Sequence, residues 1–270
     1  MIDIRQTYQY ARYLKEIGWQ VERINEINYF IKKFPLIGTV LKIQRPEEIK
    51  IKKINDIAKK YKAFQVIIEP KYDYQIINLK YHNYKLNKSP YLPTKTLQID
   101  LTTEKENIFG KFKKDAKRAI NKNKDLELKI YYLGSLNDFR SFWKKAVGFK
   151  RFVPSSVQLA SLKKSFNNNA LFITDIQKLT GAIFLATDKI AHYWQAFNSL
   201  KGRKEQLQYR IVWQGILWAK AKGIKIFDFE GIYDERFPNK NWQGFTHFKK
   251  SFGGYEVKYP GCYTRFRISL

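Results

Sequence analysis

Two acids and two lysines near the C-terminus have the spacing to meet. Asp228 and Glu230 stand at the end of a short apolar run, residues 226–229, that reads as a strand. A polar loop with one proline follows. A short helix then carries Phe248, Lys249 and Lys250 up to a Gly253-Gly254 stop. A strand end and a nearby helix can bring such opposite charges to one pocket. No Ser-His-Asp or Cys-His set is visible. Cys262, beside Pro260 and Gly261, reads as structural, and His82, His192 and His247 are scattered without metal-ligand spacing.

The elements that must position these residues are legible in outline. Residues 5–17 read as a helix stopped by Gly18, and residues 19–26, 28–34 and 36–44 as three β-type runs. Pro46 opens a helix over 46–62, and an apolar strand over 64–68 ends at Glu69-Pro70. Residues 71–88 show no assignable pattern. After an extended connector (89–93) comes a strand over 97–101. One basic helix is expected over 104–122, capped by Thr102 or Thr103, with enough lysine to suggest a phosphate-binding face. Later come a strand (126–133), helices at 137–147 and 155–166, three strands (170–175, 181–187, 190–197) and one long helix (203–222). The order of helix, three strands, helix, strand occurs twice. It suggests two related α/β modules, each a mixed sheet flanked by helices.

Composition bounds the partners. The chain has 270 residues, enough for one large domain or two ordinary ones. Lysine and arginine number 51 against 24 acids, a net charge of +27, which favours nucleic acid, an anionic membrane surface or a phosphorylated substrate. The one cysteine excludes an intrachain disulfide. Met1 leads directly into polar sequence, and no apolar run is long enough to span a bilayer. The cytoplasm is therefore expected, with contact at the inner face of the membrane compatible with the charge.

Three stretches together resemble the Fem family, the peptidoglycan interpeptide-bridge aminoacyltransferases that use aminoacyl-tRNA. The first is Gln6-Thr7-Tyr8-Gln9-Tyr10-Ala11 leading to Gly18-Trp19. The second is Leu97-Gln98-Ile99-Asp100-Leu101 with Lys117-Arg118-Ala119-Ile120 downstream. The third runs from His192-Tyr193-Trp194-Gln195-Ala196 through residues 209–222 and Asp228-Phe229-Glu230-Gly231-Ile232 to Gly244, Phe248-Lys249 and Tyr259-Pro260-Gly261. The resemblance implies an α/β (α+β) chain of two tandem GNAT-like acyltransferase domains around a substrate channel. The boundary is expected at 1–101 and 102–270, with the last residues packing back on the first domain.

The resemblance also implies the chemistry. A stem-peptide amine of a peptidoglycan precursor, lipid II or UDP-MurNAc-pentapeptide, would attack the ester carbonyl of aminoacyl-tRNA. Lys249, in the Phe-Lys pair, would meet the reacting carbonyl. Glu69 matches an acidic position considered as the base, although a substrate-assisted route would leave it only holding the amine. Arg12 and Arg151 fall near phosphate-binding positions, and Tyr193, Tyr209 and Phe248 could line the channel. No cofactor is implied beyond aminoacyl-tRNA as co-substrate. A CoA-using relative would carry a glycine-rich pyrophosphate loop. Residues 199–206 offer a single glycine there. No segment reads as the long helical hairpin that some members use as a tRNA arm. Two other readings stay open: a non-catalytic RNA-binding protein, and a transferase acting on protein N-termini.

Overall fold

The computed structural model describes residues 1–266, without the side chain of Lys150. Its strands form one sheet of six and one of seven. The chain divides into two compact units: residues 1–95, 234–238 and 258 onward, and residues 96–233 with 239–257.

In the first unit, α1 (Tyr8–Glu16) is capped by the Thr7 side chain, which accepts from the Tyr10 N–H. An antiparallel meander follows: β1 (Gln20–Ile24), β2 (Ile27–Phe34) and β3 (Gly38–Gln44). Helix α2 (Ile51–Lys60) then crosses over to β4 (Ala63–Glu69), which pairs parallel with β3. This helix starts five residues later than the sequence suggests. The reason is that the carbonyls of Pro46 and Glu47 both accept from Gln75 Nε2 at 3.1 Å, holding that turn out of a helix. Residues 71–88 contain α3 (Gln75–Tyr81) and β5 (Lys85–Asn87). The core is aliphatic, with Leu41, Ile43, Ile54, Val66 and Ile68 closed by Leu79 and Tyr263.

The second unit begins one strand earlier than expected. β6 (Lys95–Asp100) lies in the seven-stranded sheet, not at the end of the first domain. Helices α4 (Lys105–Gly110) and α5 (Lys114–Lys122) replace the single basic helix. The break turns Phe112 inward, edge-on to Phe252 and Trp213, and ties the Lys113 N–H to the Ser251 carbonyl. Neither Thr102 nor Thr103 caps α4, whose N-cap is Glu104. Then come β7 (Leu128–Ile130), α6 (Leu136–Val147) and α7 (Ser156–Phe166), the last closed by a Ser155/Gln158 capping box.

A second antiparallel meander follows: β8 (Ala170–Asp175), β9 (Thr180–Ala186) and β10 (Ile190–Asn198). The long helix is two, α8 (Leu200–Lys204) and α9 (Leu207–Ala221), because Gln206 takes a left-handed conformation between them. They lead into β11 (Ile226–Asp228), parallel to β10. Helix α10 (Gln243–Lys250), β12 (Tyr255–Lys258) and β13 (Cys262–Phe266) complete the chain. β13 inserts between β4 and β5 of the first sheet.

Each unit is thus a three-stranded meander, a helical crossover and a fourth strand parallel to the third. Each fourth strand then pairs antiparallel with a strand from elsewhere in the chain, β13 in the first unit and β6 in the second. The repeated element order read from the sequence is this repeated topology. Among the described residues no helix is long and apolar enough to cross a membrane.

Two glycines test the packing of the second unit with opposite signs. A Cβ on Gly215 in α9 would lie 2.3 Å from the Phe184 ring, whereas one on Gly244 in α10 would meet nothing within 4 Å. Gly215→Ala should lose about 1–3 kcal/mol despite alanine's better helix propensity, and Gly244→Ala should gain about 0.5–1 kcal/mol. Urea unfolding of the two variants reads both; a stabilised Gly215→Ala would refute the packing of α9 on β9.

Candidate active site

The site of the second unit grows from the end of β11. That strand lies between β10 and β6, and its register sets Asp228 opposite His192 on one side and Gln98 on the other. Along β6, Leu97 and Ile99 enter the core, while Thr96 and Gln98 bond to Asp228. The Asp228 carboxylate accepts from Thr96 Oγ1 at 2.6 Å, Gln98 Nε2 at 2.7 Å and the Glu230 N–H at 2.7 Å. The chain then bends through Glu230 (φ 54) and Gly231 (φ 114). Gly231 donates its N–H to Thr96 Oγ1, and the Glu230 carboxylate meets buried His192 Nδ1 at 2.7 Å.

Lys249 closes this bend from α10. Its side chain is buried, and its Nζ donates to the carbonyls of Phe229 at 2.7 Å and Gly231 at 2.6 Å. The rings of Phe245 and Tyr193 flank the nitrogen at 4.9 and 5.8 Å. Burial pushes its pKa down to about 8, with the carboxylates of Glu230 and Asp228 opposing the shift. An ammonium has three N–H donors, and the backbone takes two. The remaining donor sits on a cation whose position is fixed. Lys250 is different: it is half exposed and pairs with Glu256 at 2.6 Å.

The expected aromatic residues pack around this bend. Tyr193 is buried against Phe184 and Phe229, and its hydroxyl accepts from Gln208 Nε2 at 2.8 Å. Burial raises its pKa, so it is a neutral phenol. Tyr209 stacks on Phe252, and Phe248 meets Tyr209 edge-on with centroids 4.7 Å apart. Arg151 is exposed after α6, in the segment before Pro154.

His192, Asp228 and Glu230 also bring three potential ligand atoms within 4.8 Å of one another. Asp228 already accepts three hydrogen bonds there, and the Lys249 ammonium supplies positive charge beside the two carboxylates. The arrangement fits a hydrogen-bonded bend better than a dication.

In the first unit, Glu69 ends β4 in the place Asp228 ends β11. It is buried, accepting from Gln44 Nε2 at 2.8 Å and the Leu92 N–H at 2.6 Å. Nearby, Arg45 reaches Asp3 and the Pro93 carbonyl and lies 3.5 Å over the Tyr259 ring. Burial raises the Glu69 pKa, opposed by its two hydrogen bonds and by the Arg45 and Arg5 charges. Its carboxylate thereby fastens the connector before β6. Arg12 is exposed on α1 and pairs with Glu16 at 3.2 Å. Cys262 is buried in β13, its thiol pushed up to about 12 by burial, so it is no nucleophile at neutral pH.

Of the network residues, Thr96 lies outside the quoted motifs, and Gln98 and His192 stand within them without an assigned role. Thr96 and Gln98 alternate with Leu97 and Ile99, so polar side chains share one strand face.

The fold, two α/β units that repeat one strand and helix topology, is shared with several solved structures. A solved structure of FemX superposes with a TM-score of 0.82 at 14% identity, covering 98% of this chain and 92% of that one. The structure of L-PGS from Bacillus licheniformis matches at 0.63 and 13% identity, over 94% and 86% of the chains. A tandem GNAT protein from the clavulanic acid pathway matches at 0.54 and 7% identity, over 89% and 78%. More specifically, the FemAB family model matches residues 150–266, the stretch that contains β10, β11 and Lys249, so the resemblance to the Fem family read from the sequence is borne out. No curated protein matches the sequence.

Glu69 yields a pH test. Its folded-state pKa lies above the ordinary value of 4.5, so the fold favours the protonated form. Its contribution to stability is full below pH 4.5 and is lost as the pH rises through the folded value. The unfolding free energy of the wild type relative to Glu69→Gln should therefore fall as the pH rises above 4.5 in urea titrations. A difference independent of pH would show that burial does not perturb this carboxylate.

Proposed function

We propose that the protein is an aminoacyltransferase that moves an aminoacyl group from aminoacyl-tRNA to the stem-peptide amine of a peptidoglycan precursor, lipid II or UDP-MurNAc-pentapeptide. The observation that carries this reading is the buried Lys249 ammonium, held by two carbonyls at the β11 bend. It lies within the stretch matched by the FemAB family model.

In the reaction the amine nitrogen attacks the ester carbonyl carbon, giving a tetrahedral oxyanion. The C–O bond to the ribose then breaks, the amide forms, and the proton lost from the amine ends on the ribose oxygen. The ester is already activated, so the reading calls for no cofactor beyond the aminoacyl-tRNA. The protein's task is positioning and charge stabilisation. Lys249 is suited to the second role, because its charge is present at neutral pH and its position costs no reorganisation. Glu69 serves as base if the amine reaches it; a substrate-assisted proton transfer leaves it as the clamp of the connector. The exposed guanidinium groups of Arg12 and Arg151 suit the precursor's phosphates. An RNA-binding protein without catalysis would account for the charge of +27 but not for a desolvated cation at a strand end.

Incubation with charged tRNA and either lipid-linked muropeptide or an acceptor peptide separates the readings. Labelled muropeptide is the expected product; tRNA binding without it would sink this proposal, and labelled peptide alone would redirect it to protein N-termini. Lys249→Ala should lower turnover by about 10²–10³-fold and leave precursor affinity nearly unchanged. Because Lys249 must be charged and its pKa is about 8, single-turnover rates should fall as the pH rises through that value. Unchanged turnover in the alanine variant would remove Lys249 from the chemistry.

A further inference from the structure

The β2–β3 hairpin of the first unit ends in an apolar tip. Its connection is Pro35-Leu36-Ile37, between Phe34 and Gly38. Exposed turns normally carry Gly, Asn, Asp or Ser, whose backbone and side chains suit tight bends and water. Here Leu36 is fully exposed and Ile37 is 64% exposed. Leu36 also has φ 64, a left-handed conformation that glycine adopts without steric cost. An aliphatic side chain is thus held in water at a position where its backbone is strained.

The ground beside this tip is basic. A cleft of about 620 Å³ is lined by Lys32, Lys33, Lys60 and Lys62 together with Gly18 and Tyr61. Lys60 pairs with Glu22, and Lys32 donates to the Gly18 carbonyl. Lys33 and Lys62 are exposed and have no carboxylate partner among the described residues. Half-buried Trp19 lies alongside, with the ammonium groups of Lys32 and Lys42 at 6.0 and 5.7 Å from its ring. Aliphatic tip, flanking tryptophan and unpaired lysines are the three components of an interfacial anchor: apolar groups enter the acyl boundary, tryptophan sits at headgroup depth, and cations meet phosphates.

We propose that the Pro35–Ile37 tip docks this unit on an anionic phospholipid bilayer, with Lys33 and Lys62 contacting headgroup phosphates. An RNA backbone would satisfy the lysines but would leave Leu36 and Ile37 in water, so the bilayer fits all the groups present. Such docking is independent of whether the second unit transfers aminoacyl groups, and vesicle binding reads it without any turnover.

The test is flotation of the full chain with vesicles of mixed phosphatidylglycerol and phosphatidylcholine, and with phosphatidylcholine alone. The wild type should float with the mixed vesicles and far less with the neutral ones. Leu36→Asp/Ile37→Asp and Lys33→Glu/Lys62→Glu should each weaken partitioning about tenfold or more. Leu36→Gly guards against misfolding: it relieves the positive φ, so its melting temperature should hold or rise while vesicle binding falls. No wild-type flotation, or tip variants that float as well as the wild type, would overturn the proposal. So would a Lys33→Glu/Lys62→Glu variant that loses tRNA binding but keeps its vesicle partitioning, which would assign the cleft to RNA.

Discussion

The burial of the Lys249 ammonium is the constraint on which the second unit's site depends. A cation removed from water is costly unless polar groups replace its hydration. Here the replacement comes from backbone. β11 is only three residues long, and the chain leaves the sheet with the Phe229 and Gly231 carbonyls turned toward one point. They can be so turned because Glu230 and Gly231 both take positive φ. That bend is itself held by Asp228, whose carboxylate binds the Glu230 N–H and the two polar residues of β6. Remove the carboxylate and the N–H loses its partner; remove the bend and the ammonium loses one of its carbonyls. Cation, bend and carboxylate therefore stand as one network whose parts are not additive.

The two units solve one structural problem in the same way. In each, the strand parallel to the meander ends in a buried carboxylate, Glu69 or Asp228. Each carboxylate accepts from a glutamine side chain and from a backbone N–H of the segment it fastens. The parallel ends where the surroundings differ. Beside Glu69 stand the guanidinium groups of Arg45 and Arg5, which partly offset its burial. Beside Asp228 stands a lysine, and burial lowers the charge affinity of that lysine. One topology thus supports an acid shifted upward and a base shifted downward, each toward neutrality. Groups of that kind are the ones suited to proton and charge transfer at working pH.

Much of this was legible in the sequence because it rests on periodicity and punctuation. The β-type runs over 19–44 lie between Gly18 and Pro46 with Pro35 and Gly38 as breaks, the helix read over 155–166 follows Pro154, and the strand read over 226–229 follows Gly223. What was not legible depends on contacts far apart in the chain. The basic helix breaks because Phe112 packs on Trp213 and Phe252, more than one hundred residues away. The long helix splits because Gln206 turns left-handed, a conformation no local pattern announces. Strand β6 looked like the end of one domain, and only its pairing with β11 assigns it to the other. The Phe-Lys pair drew attention to Lys249, but the carbonyls that hold it lie eighteen and twenty residues earlier and carry no side-chain signature.

The geometry at Lys249 also bears on how a side chain with a structural role could take the chemical role proposed for it. A lysine has four rotatable bonds, and fixing them costs conformational entropy. In an exposed lysine that cost falls on the reaction, because the ammonium must be ordered as the charge develops. Here folding has already met it: two of the three N–H bonds are committed to Phe229 and Gly231. Tetrahedral geometry at nitrogen then confines the third N–H to one direction. A donor whose direction is set by its own structural bonds is preorganised in the sense that matters for an oxyanion, since nothing need move when the charge appears. The clamp on the backbone is therefore what would make the remaining N–H useful in the proposed reaction.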